Sequence, residues 1–296
     1  MSTPYHVDPL KLTHMHTGEL FIKQHNPPPL ISHGWLKNST RSCLMGSAGL
    51  SRDRYTLTDS LLVGDPKNKA NKWGVREYNV SNATVARVEV CDTGAEHGIY
   101  WESGGDVLIE DFFAHDCAAN AHQDALRGPG SKEGSECIDP EALRNMVGTK
   151  VYRNAWAMNC GLKRGYGRTG FVFSDFEAQG CLAPKRMQSI VGDLHVRHRK
   201  SGGIHVAKHR PLVDITFDVL VESCNNFVWS ILGYKYVQRE AVLYDHIDQV
   251  ILRGSMIGTK RPLVVKLNNC KKIDYSQLRC NGSTQIQVDG KVVAVV

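Results

Sequence analysis

Asp111-Phe-Phe-Ala-His-Asp-Cys117 and Asn154-Ala-Trp-Ala-Met-Asn-Cys160 are two copies of one seven-residue frame. Three more copies follow: Asp175-Phe-Glu-Ala-Gln-Gly-Cys181, Asp218-Val-Leu-Val-Glu-Ser-Cys224 and Asp274-Tyr-Ser-Gln-Leu-Arg-Cys280. Each places Asp or Asn six residues before a cysteine and an apolar or aromatic residue five before it. Four of the five carry Ala or Val three before it, and the last carries Gln277. Looser copies run from Arg87 to Thr93 and from Asp193 to Arg199. Within the frame the alternation has period two, so its apolar positions share one face of a strand.

The frames recur at 24, 43, 21, 43 and 56 residues, counted from Thr93 to Cys280. A 43-residue step reads as two rungs or as one rung with an insertion, and 56 as two rungs of 28. Turns of roughly 20 to 30 residues suit a parallel β-solenoid, in which each turn holds about three short strands. The expected fold is therefore all-β: a right-handed parallel β-helix, with residues 31–280 as its body. A leucine-rich repeat would need a leucine skeleton, which is missing. A β-sandwich would not need a fixed rung length. Identical positions on stacked rungs lie about 4.8 Å apart, and buried free cysteine behaves as a small hydrophobe. The framed cysteines then read as an inner ladder, with Cys160 and Cys181 the one pair near enough to consider for a disulfide.

Two excursions interrupt the pattern. Near residues 128–148 an insertion opens at Gly128-Pro129-Gly130 and holds a short helical segment, with Asp139 as N-cap and Pro140 at the first helical position. Gly161 to Arg168 is short, basic and rich in glycine. Residues 1–30 read as a leader or cap ending in Pro27-Pro28-Pro29, and residues 281–296 as a hairpin cap turning at Asp289-Gly290.

Composition narrows the function. Charged residues are 22% and hydrophobic ones 42% of the 296, ordinary for a chain with a packed core. A net charge of +6 and a pI near 8.8 favour anionic partners. No zinc-finger spacing, RNA-recognition signature or basic-region helix is present, so nucleic acid is not the expected partner. No stretch approaches the roughly 18 apolar residues of a membrane span, so no membrane partner is expected either. His6, His14, His16 and His25 are spaced too irregularly for a metal site. Nine cysteines and an N-terminus without signal-peptide layout leave a cytoplasmic, virion-associated or processed secreted form open.

A second element recurs after the cysteine turn: His97-Gly98-Ile99-Tyr100, Asp124-Ala125-Leu126-Arg127, Gly170-Phe171-Val172 and Gly203-Ile204-His205. Stacking these aligns Tyr100, Arg127, Val172 and His205 in one outward column. Glu102 lies two residues on, while His97 and Asp124 stand at the turn entering the strand. With segments such as HGIYWESGGDVLIED and HQDALRG, residues 50 to 280 resemble the pectin-lyase-like right-handed β-helix superfamily. That resemblance implies a carbohydrate-active protein: a polysaccharide lyase, a glycoside hydrolase or a tailspike-like binder. Neither a calcium-site aspartate cluster nor a polygalacturonase-type aspartate pair is present, so no cofactor is expected beyond an unplaced Ca2+.

Two chemistries fit the column. In β-elimination from a uronic acid, Arg127 would hold the carboxylate, His205 or His122 would take the proton, and Tyr100 would protonate the leaving oxygen. In glycoside hydrolysis, Glu102 and Asp124 would be the two carboxyl groups. Asp124 could equally bond turn amides, Tyr100 and Arg127 could be an ordinary solvated stack, and His122 could be a turn residue. His97, Lys163, Arg164, Arg168, Lys208 and His209 are the expected ligand-binding residues. Trp101, Trp229, Tyr234 and Tyr236 are candidate sugar-stacking rings, with Trp101 and Trp229 expected to face the core. The chain is expected to act on a polysaccharide, with a non-catalytic adhesin as the rival and a homo-oligomer left open.

Overall fold

A computed structural model describes residues 3–8, 14–17, 20–22, 30–32, 34–37, 42–46, 55–67, 73–94, 97–118, 122–126, 149–160, 171–175, 188–197, 201–208, 212–222, 226–233, 236–238, 241–244, 247–257, 264–280 and 284–295, with side chains for a smaller set. The described chain is all-β, dominated by a large parallel sheet, and contains no helix. The helical segment expected at Asp139–Met146 lies outside the described residues, as do Cys181, Cys224 and the second excursion.

The chain alternates between two stacks of parallel strands. β1 (His14–Thr17) belongs to the first stack and β2 (Leu20–Ile22) to the second. β3 (Leu30–Ser32) and β4 (Gly34–Lys37) return to the first, and β5 (Ser42–Gly46) joins the second. β6 (Tyr55–Val63) is in the first stack, whereas β7 (Trp73–Cys91) and β8 (Ile99–His115) are long enough to cross from the second into the first. β9 (His122–Leu126), β11 (Phe171–Asp175), β13 (Ser201–Lys208) and β15 (Asn226–Gly233) continue the second stack. Between them β10 (Thr149–Met158), β12 (Gln188–Arg197) and β14 (Leu212–Glu222) continue the first. β16 (Tyr236–Gln238) and β17 (Ala241–Tyr244) form a separate antiparallel hairpin. β18 (Ile247–Ile257) and β20 (Cys270–Cys280) finish the first stack, β19 (Val264–Asn268) and β21 (Gln285–Val288) the second. β22 (Lys291–Val295) folds back antiparallel onto β21 across Asp289-Gly290, forming the expected hairpin. Residues before position 30 thus already enter the sheet, through β1 and β2.

The register explains the sequence frame. In the first stack Leu57, Val85, Ile109 and Tyr152 align, and all are at most 1% exposed. Val88, Phe112, Ala155 and Leu194 form a second buried column, and Leu62, Val90, Ala114 and Ala157 a third. In the second stack Val75, Ile99, Phe171, Val265 and Ile286 share one buried column. Each Val, Leu, Ile or Phe among them contributes about 1.5–3 kcal/mol on leaving water, and the alanines less.

Among the described residues, the nine non-glycine positions with positive φ are Asp59, Arg87, Asp111 and Asn154; Asp92, Asp116 and Asn159; and Asn269 and Asp289. The first two sets are aligned across the strands and the third is one residue out of register, its members joined by Asn269 N donating to Asp289 Oδ1 at 2.8 Å. Asp and Asn tolerate the left-handed region better than other side chains, which is why the frame opens on them. Polar bonds run along the first bend. Arg87 donates from Nε and Nη2 to Asp59 at 2.6 and 2.9 Å. Asn154 donates to Asp111 at 2.8 Å and, from its backbone, to Asp193 at 3.0 Å.

Some expectations need correction. β8 pairs directly with β10, so the 43 residues from Cys117 to Cys160 are one step with an insertion. Cys160 is the aligned neighbour of Cys117; both are buried free thiols, Cys117 Sγ donating to the His115 carbonyl at 3.5 Å and Cys160 Sγ to the Ala114 carbonyl at 3.6 Å. Asp175 stands opposite Leu126 in the second stack, so the frame ending at Cys181 is no register mate of the Asn154 frame. Its mate begins at Asp193, and Asp218 follows in register. Cys280 pairs with Met256, in the column of Ala157 and not of Cys160.

Candidate functional site

The second stack carries one long register column: Arg76, Tyr100, Gln123, Val172, His205, Ser230, Lys266 and Gln287. Within it Lys266 is exposed between buried Val265 and Leu267. Tyr100, Val172 and His205 align as the sequence implied, but Gln123 occupies the place expected for Arg127, which lies outside the described residues. Three parallel steps separate Tyr100 from His205, about 14 Å at the usual strand spacing. They cannot serve the same glycosidic bond. His205, Ser230 and Lys266, by contrast, are consecutive.

The carboxylate pair divides as well. Asp124 stands opposite Trp101 and Glu102 opposite Ala125, so the two occupy neighbouring columns. The Trp101–Asp124 column continues through Phe173, Val206 and Ile231 to buried Leu267. His122 aligns with buried Ile99 and Phe171, the same column that holds Trp229. These registers match core positions, the expected place for Trp101 and Trp229 but not for a catalytic His122 or Asp124. His97, expected at the ligand surface, is only 4% exposed, and burial pushes its pKa down to about 3. Lys208 ends β13 opposite Gly233. Lys163, Arg164, Arg168, His209 and Tyr234 lie outside the described residues.

The densest described cluster of ionisable groups was not anticipated. Leu61, Glu89, Phe113 and Trp156 form an outward column of the first stack, yet all four are buried. Residues 3–8 lie across Glu89 and Phe113. Val7 N donates to Glu89 Oε2 at 2.9 Å, His6 Nδ1 stands 3.5 Å from Glu89 Oε1, and the His6 ring meets Phe113 edge-on at 4.8 Å. His115 stacks on Phe113 at 4.6 Å and lies between two carboxylates, with Nδ1 2.7 Å from Asp116 and Nε2 3.0 Å from Glu89.

Burial alone would lower the His115 pKa, but hydrogen bonds to Cys91, Glu89 and Asp116 raise it to about 11. Burial pushes the Cys91 thiol up to about 11 as well. At neutral pH Cys91 is therefore a thiol, and Glu89 and Asp116 are what keep His115 charged. Burial would raise Glu89, yet the bonds from His115 and Val7 outweigh it and hold the carboxylate below its ordinary value. Both His115 nitrogens are engaged by carboxylates, so the cluster clamps the segment and does not activate Cys91. Among the described residues no group of ligating side chains could hold a metal ion. One signal was available in sequence: Glu89 interrupts a column that is otherwise apolar at Leu61, Phe113 and Trp156.

No family model matches this chain, and no curated protein or solved structure gives a significant match.

Proposed function

We propose that the two stacks are faces of a right-handed parallel β-helix and that the protein acts on an acidic polysaccharide. The observation that carries this is the long register column of the second stack. Its aligned positions include the cations Arg76 and Lys266 together with His205, and no aspartate or glutamate. Repeating at about 4.8 Å, such a column suits an extended polyanion, and the net charge of +6 agrees with it.

Between the two cleavage chemistries, β-elimination fits better. Hydrolysis needs two carboxyl groups flanking one bond, and the column has none. Elimination needs a base beside a cation that neutralises the developing enolate. His205 supplies the first, Lys266 the second, and Ser230 stands between them.

The test is incubation with acidic and neutral polysaccharides, following unsaturated-uronate absorbance and reducing ends. Uronate absorbance that is lost in His205→Ala supports elimination. Binding without cleavage supports the second reading, a non-catalytic carbohydrate-binding or adhesin protein, which the same carboxylate-free column favours. Failure to bind any polysaccharide overturns both.

A further inference from the structure

We propose that the C-terminal end of the first stack holds a separate binding site for the carboxylate or sulfate groups of an acidic glycan, centred on Arg253 and Arg279. A polar groove of about 480 Å³ opens there across β14, β18 and β20, lined by Asp218, Arg253, Ser255, Ser276, Gln277 and Arg279. The register builds it. Asp218, Arg253 and Gln277 are aligned, and Ser255 stands opposite Arg279. Between the two arginine positions the chain turns Leu252 and Leu278 inward, leaving Arg253 and Arg279 exposed. Adjacent strands lie about 4.8 Å apart and two residues along a strand span about 7 Å. The guanidinium stems are thus rooted diagonally, far enough apart to meet successive anionic groups of one polymer.

Two other arginines of this stack are already engaged. Arg87 grips Asp59 through two bonds, and Arg153 reaches Glu110 at 3.4 Å. Arg253 and Arg279 make no hydrogen bond or ion pair with any described residue, although Asp218 stands directly opposite Arg253. The nearby Asp274 is turned to its own chain, where it accepts from Ser276 N at 2.9 Å; bonds from the Ser276 hydroxyl and amide, with the Arg253 charge, hold it below its ordinary value. Strands β18 to β22 carry six basic residues against two acidic ones, so the field at this end is positive. A planar guanidinium donates two parallel bonds to a carboxylate or sulfate, while Ser255, Ser276 and Gln277 offer hydroxyl and amide partners for sugar hydroxyls. Among the described residues no aromatic ring lines the groove for base stacking, and Tyr275 packs against the core. That favours a glycan over single-stranded nucleic acid.

The site shares its ligand class with the polysaccharide reading but uses other residues. The full chain is tested with immobilised heparin as the sulfated probe and polygalacturonate as the carboxylated one, each at several salt concentrations. Arg253→Gln with Arg279→Gln is compared with His205→Ala with Lys266→Ala. The expected result is an affinity loss of roughly tenfold per arginine removed, with a shallower salt dependence for the groove variant. Arg253→Lys should restore part of the loss, because it keeps the charge without the fork. Loss confined to one probe assigns the site to sulfate or to carboxylate. Unchanged binding of both probes by a groove variant with wild-type melting temperature overturns the proposal, and Arg279→Gln alone repeats the test should the double variant melt early. A preference of the wild type for single-stranded nucleic acid over both glycans overturns it too. Loss in the column variant alone keeps the column and removes the groove; loss in the groove variant alone does the reverse.

Discussion

Asn154 donates from Nδ2 to Asp111 Oδ1 at 2.8 Å, joining β10 to β8, and both residues stand in the left-handed region at φ 46° and 48°. The Asn154 Oδ1 in turn accepts from Trp156 Nε1 at 2.8 Å. One side chain therefore fixes a bend, a neighbouring strand and a buried indole. Asn154→Ala removes both bonds and puts an unsuited Cβ at positive φ, at a combined cost of roughly 2–3 kcal/mol. Asn154→Gly loses the same bonds but accepts the backbone, so it should cost about 1 kcal/mol less. Urea unfolding of the two variants checks the order; equal losses would mean the bend is unimportant.

Gly74 is fixed by a close approach. A Cβ there would lie 2.7 Å from the Gly98 carbonyl oxygen and closer still to Val90 Cγ1. That carbonyl already accepts from Val75 N at 2.9 Å, so it cannot retreat without breaking the ladder. Gly74→Ala should cost more than about 2 kcal/mol. Gly192→Ala should cost less, since its Cβ would meet the Phe217 ring and Leu194 side chain at 3.0 and 3.1 Å, and side chains can yield. Thermal melts of the two variants make the comparison.

The parallel, alternating character of the fold was legible because a buried face writes itself into every strand: the Ala and Val of the frame are the Ala114 and Ala157 of one core column. Its opening Asp or Asn marked the bend for a steric reason. Interval counting left the step from Cys117 to Cys160 open between two turns and one turn with an insertion, because length alone does not separate the two, and the β8–β10 pairing selects the second. The frame also cannot say which stack it serves. Either face needs the same period, which is how Asp175 came to be grouped with Asn154. Tyr100, Val172 and His205 do share a register column, but a register four residues off put Arg127 where Gln123 stands. The cluster around Glu89 rests on a contact 82 residues long in sequence, to Val7, and local pattern carries no trace of such a contact.

Two histidines should differ in charge at neutral pH. His97, pushed down to about 3 by burial, is expected to be neutral, and His115, raised to about 11, protonated. Nitrogen-detected NMR of the assigned imidazoles between pH 4 and 9 should show neither one titrating. The linkage runs in opposite senses. The unfolded chain takes up the His97 proton below about 6.5, so that contribution to stability falls as pH drops from 6.5 towards 3. The His115 contribution is complete below 6.5 and fades as pH rises towards 11. A midpoint near 6.5 for either residue would contradict its surroundings.

The N-terminal segment should come away from the first stack in acid. Glu89 accepts Val7 N at 2.9 Å and faces His6 and His115 at 3.5 and 3.0 Å, and these partners, against the pull of burial, lower its pKa below the ordinary 4.5. A carboxylate with a depressed folded pKa stabilises above its unfolded value and loses that contribution as pH falls through the folded one. Protonated Glu89 keeps one acceptor oxygen but no charge to set against His6 and His115. Below pH 4.5, exchange of the Val7 amide, corrected for its intrinsic rate, should therefore accelerate while amides of the aligned core strands at Val85 and Ile109 stay protected. Glu89→Gln should show the fast exchange already at neutral pH. It should also lower the His115 pKa, since one of the two carboxylates that hold that proton is gone. Slow, pH-independent Val7 exchange in both proteins would mean that buried Val7 and the His6–Phe113 ring contact hold the segment by themselves.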